Sequence, residues 1–226
     1  KSVGTKILPD FMDITFDPTK KELNKTKLGG YYEFDDEGVK AQKVDVVKNG
    51  IFESFLMSRT PIDGFPHSNG HGRKSAGYSP VTRQSNLIVT SKVTKTLEEI
   101  RNELKKIAKE QGKEYGLFID DVSGGFTFTN RSIPNAFNVT PLVVYKIYVD
   151  GRPDELVRGV DLIGTPLTTF ANIVATGNDM DTFNGICGAE SGGVPVSASS
   201  PTILVSRIEV QKKLKSQAKP PILAAP

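Results

Sequence analysis

Cys187 is the only cysteine in the 226-residue chain. It stands in Asn184-Gly185-Ile186-Cys187-Gly188-Ala189-Glu190-Ser191-Gly192-Gly193-Val194-Pro195, a stretch too polar for an apolar core. A structural cysteine is usually a small buried hydrophobe. Glycines on both sides instead let the backbone turn sharply and bring one side chain against a ligand or metal. The neighbours alone leave three readings open: metal ligand, nucleophile, or inert thiol. A nucleophile needs a histidine or a helix N-terminus beside it to lower its pKa, and the local sequence places neither there.

Thiolate and imidazole are the usual zinc ligands, and the chain's two histidines, His67 and His71, lie four apart. On a helix that spacing puts both rings on one face, but Pro66, Asn69, Gly70 and Gly72 argue for a loop, and no glutamate lies between them to act as general base. Gly70-His71-Gly72-Arg73-Lys74-Ser75 has the composition of a phosphate-cradling loop without its order, because Arg73 separates glycine from lysine and a strand is expected to follow. Ser123-Gly124-Gly125-Phe126-Thr127 and Ser191-Gly192-Gly193-Val194 are glycine pairs leading into strands. Such a pair either opens backbone N–H groups toward a carboxylate or oxyanion or marks a bulge or tight turn. A serine triad has little support, since both histidines share one loop and no Gly-x-Ser-x-Gly elbow occurs. The Asn-x-Ser/Thr triplets at Asn24, Asn130 and Asn138 carry meaning only in a eukaryotic secretory setting.

The elements that must position these residues sit in a chain of net charge +3 and pI about 8.8. Its one lysine-rich stretch, Lys105, Lys106, Lys109 and Lys113, is balanced by Glu98, Glu99, Glu103, Glu110 and Glu114. That is a solvated helix face, not a nucleic-acid footprint. One cysteine excludes an internal disulfide and leaves the compartment open, and no apolar run approaches the ~18 residues of a membrane span. A chain of this length buries roughly 70% of its unfolded surface, enough for one large domain or two small ones. It begins at Lys1 in a strand-like segment, as expected of a piece of a longer protein.

Alternating runs over Ile7 to Phe16 and Gly38 to Ser58 predict strands, and Asn49-Gly50 between two of them predicts a hairpin. Asp150-Gly151, with Val143 to Val149 before it and Glu155 to Val160 after, predicts a second. From Pro61 to Pro80 the pattern gives way to a long loop, a length that is usually functional or disordered, before a strand at Asn86 to Thr90. Thr96 and Glu99 form a capping box for a helix over about 96–111, with Leu97, Ile100, Leu104, Ile107 and Ala108 on its buried face and Gly112 ending it. A shorter helix is expected over Pro166 to Ile173 and a last strand over Thr202 to Val210. The reading is α+β, predominantly antiparallel sheet, barrel-like in one of its forms. A single domain is expected over 1–211, followed by a basic, proline-rich tail over 212–226.

Five pieces then occur in a recognisable order: Asp35-Asp36-Glu37-Gly38-Val39 with Val47-Lys48-Asn49-Gly50 and Leu56; Ser68-Asn69-Gly70-His71-Gly72-Arg73; Gly124-Gly125-Phe126-Thr127; Arg158-Gly159-Val160-Asp161-Leu162-Ile163-Gly164; and Gly185-Ile186-Cys187-Gly188 through Gly193-Val194-Pro195-Val196. Together they resemble the C-terminal region of the TldD/PmbA metallopeptidases, once labelled modulators of DNA gyrase. The Pro220-Pro221-Ile222-Leu223 ending also resembles one branch of that family.

The resemblance implies a zinc-dependent peptidase in which a His-Glu-x-x-x-His helix supplies two ligands and a general base, and a cysteine near the C-terminus supplies the third ligand. Cys187 matches that cysteine. The helix motif is absent here and is expected upstream of Lys1, so the chain is expected to hold one metal ligand and no catalytic residue, to be inactive alone, and to carry no zinc by itself. The resemblance further implies unfolded or modified peptide substrates, pairing as a homodimer or with a metal-free relative, and a cytoplasmic location, with secretion left open. Asn69, His71, Arg73, Gly124 and Gly125 are the candidates for contact with the peptide, Arg73 through its fork of donors. Two other readings stand beside this one: a non-catalytic peptide-binding or scaffolding partner of the PmbA/TldE type, and a thiol enzyme using Cys187.

Overall fold

The computed structural model describes residues 3–128 and 136–212. Asn130 and the expected tail from residue 213 onward lie outside these residues. In chain order the first strands are β1 (Met12–Phe16), β2 (Glu22–Leu23), β3 (Thr26–Lys27), β4 (Val44–Lys48), β5 (Ile51–Phe52), β6 (Gly72–Arg73), β7 (Val81–Thr82) and β8 (Asn86–Ser91). Helix α1 (Leu97–Glu110) is followed by β9 (Tyr115–Phe128), β10 (Ala136–Tyr148), β11 (Glu155–Val157) and β12 (Val160–Gly164). After α2 (Pro166–Ala171) come β13 (Ile173–Thr176), β14 (Asp181–Ala189), β15 (Gly192–Ser200), β16 (Ile203–Val205) and β17 (Glu209–Lys212). The class is α+β with mostly antiparallel strands, as the alternating runs predict. No helix among the described residues is long and apolar enough to cross a membrane.

Two compact units divide the chain. One reaches to Ile100 and resumes over Phe170–Leu204; the other takes Arg101–Thr169 and the chain from Val205 on.

The first unit holds a six-stranded sheet in the order β14-β15-β8-β1-β4-β5. Its pairings are antiparallel except between β15 and β8, which run parallel with Ser197 opposite Asn86. Met12, Val47 and Val194 are among its fully buried apolar side chains. Asn49-Gly50 joins β4 to β5 with φ of 51° and 74°, the positive pair that a tight hairpin turn demands. Gly50 is also enclosed: its N–H donates to Met12 O at 2.9 Å, and an added Cβ would lie 2.3 Å from Leu8 O and 2.6 Å from Pro9 O. Gly50→Ala is therefore expected to cost roughly 3–5 kcal/mol, combining left-handed strain with a backbone clash. Urea unfolding measures it, and a loss below about 1 kcal/mol would mean that residues 8–9 yield freely.

In the second unit β9 and β10 form a long hairpin, with β11 and β12 each pairing part of β10 and β17 pairing β12. Val144, Ile147 and Tyr148 of β10 are buried. The Asp150-Gly151 hairpin forms as predicted, Gly151 at φ 83°. Helix α1, whose residues to Ile100 belong to the first unit and the rest to this one, starts at its capping box: Glu99 N donates to Thr96 Oγ1 at 3.2 Å and Thr96 N to Glu99 Oε2 at 2.7 Å. Thr96→Ala should lower stability by about 1 kcal/mol, read as a shift in the thermal midpoint by circular dichroism.

Two expectations are corrected. The last strand is not continuous over 202–210. It breaks after Val205, because β16 pairs with β13 in the first unit and β17 with β12 in the second, and at the break the Ser206 carbonyl accepts from Gln111 Nε2 at 2.9 Å. Helix α2 ends at Ala171, short of the expected Ile173, whose residue already begins β13.

Candidate functional site

Cys187 lies on β14, the edge strand of the six-stranded sheet, as a half-buried free thiol. The sharp turn expected at its flanking glycines is absent. Gly185 and Gly188 sit in regular antiparallel ladder opposite Val196 and Gly193, and Cys187 faces Val194. The physical reason is packing: Phe183 and Gly185 share one face of the strand, and an added Cβ at Gly185 would lie 2.5 Å from Phe183 Cε1. The ring occupies the space a side chain would take. Phe183 is 69% exposed and Ile186, on the opposite face, 70%. The turn itself comes later, at Glu190-Ser191, and Gly192 at φ 83° starts the return strand.

Behind this hairpin sit two buried guanidinium groups. Both come from the end of the long loop, where β6 and β7 pair Gly72 with Thr82 and Arg73 with Val81, and Arg83 N donates to His71 O at 2.9 Å. Arg83 Nη1 donates to Ser191 Oγ at 2.7 Å and to Gly192 O at 2.8 Å, while Nη2 donates to the carbonyl of Cys187. Arg73 Nη1 donates to Gln84 O and Pro195 O, each at 2.8 Å, and its guanidinium lies 4.6 Å from the Tyr32 ring centroid. Burial holds Arg73 below its ordinary pKa with Arg83 acting in the same sense, against the opposing pull of Tyr32, Asp36 and Cys187. Burial, the largest influence on Tyr32, pushes its phenol well above the usual range.

His71 is fully buried. Its Nδ1 lies 3.2 Å from Asn69 O and 3.1 Å from Asn69 Oδ1, and its Nε2 3.1 Å from Ser85 Oγ. Asn69 Oδ1 already accepts from Met57 N at 2.8 Å, so both partners of Nδ1 are acceptors. The proton sits on Nδ1, and Nε2 accepts from the Ser85 hydroxyl. Serine, histidine and asparagine thus stand in the order of a hydrolytic triad, yet Ser85 and His71 are both 0% exposed. The geometry serves the interior, and no substrate reaches that hydroxyl. Burial lowers the His71 pKa to about 4, with the Asn69 carbonyl opposing.

Asn69 and Arg73 are likewise engaged within the protein. Asn69 accepts from Met57 N and donates from Nδ2 to Phe55 O at 2.9 Å. As peptide contacts, these residues would first have to surrender such partners. His67 is exposed on the loop, so the two histidines are not brought together. Gly124 and Gly125 belong to the other unit, on β9, where Gly124 has φ 133° and an added Cβ on Gly125 would meet Asn138 O at 2.4 Å. That is the close strand approach of a bulged ladder. Among the described residues no three His, Cys, Asp or Glu side chains form a set able to hold a metal ion. The donor chemistry of a half-exposed thiol fits one corner of a zinc site and no more. Arg83 and Ser85 escape sequence reading, because Pro80 to Ser85 carries no periodic or motif signal.

The chain is 29% identical over 205 residues to a protein of Archaeoglobus fulgidus named metalloprotease, covering 89% of this chain and 43% of that protein. A zinc metalloprotease TldD homolog of Saccharolobus solfataricus is 23% identical over 180 residues, covering 78% and 37%. The chain thus spans about two fifths of the length of these relatives. Its fold matches, at TM-score 0.62 and 22% identity, the crystal structure of a Thermotoga maritima protein described as a modulator of a DNA gyrase, over 92% of this chain and 41% of that one. The family model described as PmbA/TldA metallopeptidase C-terminal domain matches residues 1–212. With nearly the whole chain so matched, this chain belongs to the PmbA/TldA metallopeptidase C-terminal domain family.

Proposed function

We propose that this chain is the C-terminal part of a zinc-dependent peptidase of unfolded peptides, supplying Cys187 as one zinc ligand and β14 as the surface along which the peptide lies. The observation that carries the reading is the placement of the one thiol, half-buried, on a sheet-edge strand. Zinc, when bound, polarises a scissile carbonyl and lowers the pKa of its water; two further ligands and the general base come from outside this chain.

What the chain's own residues do is bind and orient. Among the described residues no strand pairs with the outer edge of β14. Its exposed Phe183 and Ile186 lack the lysines and prolines with which sheet proteins usually guard an edge. An extended peptide can add there through main-chain hydrogen bonds, which suits tolerance of many sequences. In this reading Arg73 acts from behind the hairpin through its bond to Pro195 O, Asn69 and His71 hold the loop that carries it, and the chain is inactive alone. Pairing of the whole protein with a second copy or a relative rests on the family resemblance.

The test is zinc content and peptide cleavage by the whole protein, with and without Cys187→Ser. One zinc per chain, lost in the variant together with cleavage, supports the reading. A whole protein that lacks both zinc and the His-Glu-x-x-x-His helix would shift it to a non-catalytic partner.

A further inference from the structure

The hairpin that carries Cys187 is poor in register information. Between Gly185 and Gly193 it contains Gly185, Gly188, Gly192 and Gly193, and Gly188 faces Gly193 directly. Glycine-rich strands specify their pairing weakly, and a slip of one residue turns every side chain to the other face. Asn184, paired with Ser197 at 2.5 Å, marks the register before this stretch, and Ser75 bonds Ser191 O and Gly193 O at 2.8 and 2.6 Å, but neither reaches the Cys187 backbone.

Arg83 bonds to three points on this hairpin at once: the carbonyl of Cys187 on β14, Ser191 Oγ in the turn, and Gly192 O on β15. It is only 5% exposed, and among the described residues it forms no ion pair. Burying a guanidinium against neutral acceptors is costly. A neutral amide has two N–H donors and cannot reach three acceptors, whereas the rigid five-donor fork of arginine can. The three acceptors lie at fixed positions only in the observed register.

We propose that Arg83 is a positioning residue for Cys187. Its fork sets the register of the glycine-rich hairpin and so the face on which the thiol is presented. This rests on the reading of Cys187 as a zinc ligand, and names the group that holds that ligand in place.

The experiment compares Arg83→Met and Arg83→Lys with Thr176→Val, a control that loses a partly buried hydrogen bond to Val93 O elsewhere in the same unit. On the full chain, amide hydrogen exchange over residues 185–193 should speed up about tenfold or more in both arginine variants, while β1 and β8 keep their protection. Lysine keeps the charge but not the fork, and so should not rescue. Zinc affinity of the whole protein, by chelator competition, should fall about 10–100-fold in both, as for other outer partners of metal ligands, and stay within about twofold in Thr176→Val. If Arg83→Met does not fold, Arg83→Lys carries both measurements. Unchanged exchange over 185–193 overturns the proposal, as does unchanged zinc affinity in a protein that loses zinc on Cys187→Ser. Zinc retained in Cys187→Ser overturns the underlying reading instead.

Discussion

If Cys187 is the zinc ligand proposed above, Cys187→Ser should leave this chain's stability almost untouched while the whole protein loses zinc. The side chain is half-buried on an edge strand, and a serine there changes little, roughly 0.5 kcal/mol or less. Structural zinc sites are worth about 10–16 kcal/mol over four protein ligands, or roughly 3–4 kcal/mol each, and on that scale removing one of the three protein ligands proposed here weakens binding several-hundred-fold. Matched thermal melts of the chain, and zinc titration of the whole protein, give the two readings. Cleavage that survives chelation but is blocked by alkylation would instead make Cys187 a nucleophile.

Acid should destabilise the first unit through one residue. His71 is depressed from 6.5 to about 4, so between these values the unfolded chain binds a proton that the folded one refuses. Stability is complete above pH 6.5, declines as pH falls toward 4, and below that loses no more from this group. The total is about 3 kcal/mol. Asp45 and Asp179, both held below their ordinary carboxylate values, lose their contribution at still lower pH, which leaves the window from 6.5 to 4.5 to His71. Urea unfolding at pH 7 and pH 4.5 measures the difference, and His71→Gln should remove most of it. A wild-type difference below about 1 kcal/mol would mean that the ring keeps contact with water.

How much of this was legible in the sequence depended on whether the signal was local. Asn49-Gly50 and Thr96 with Glu99 act on neighbours within a few residues, and both the hairpin and the helix start appear where the spacing predicts them. The long loop from Pro61 was visible as missing periodicity. Its content was not: His71 and Arg73 read as exposed loop residues available to a substrate, because nothing nearby says that Ser85, Gln84 and Pro195 will close over them. The stretch from Thr202 to Val210 looked like one strand because apolar alternation does not say that its halves join different partners. Cys187 was legible as the residue to watch, yet its strand was not, since glycines suit an extended ladder as well as a turn. Arg83 was invisible for a similar reason, as its three acceptors lie more than a hundred residues downstream.

The parallel seam between β15 and β8 has a consequence for synthesis. β8 ends at Ser91, and its partner strand begins at Gly192, after the whole of the other unit's Arg101–Thr169 has been made. A nascent chain therefore carries β8 for roughly a hundred residues of elongation with one side unpaired, a hazard for misassembly. The seam closes only when the segment bearing Cys187 has emerged. The last-made hairpin of this unit thus delivers the proposed metal ligand and seals the sheet in one step, so a ribosome stalled before residue 181 would leave neither.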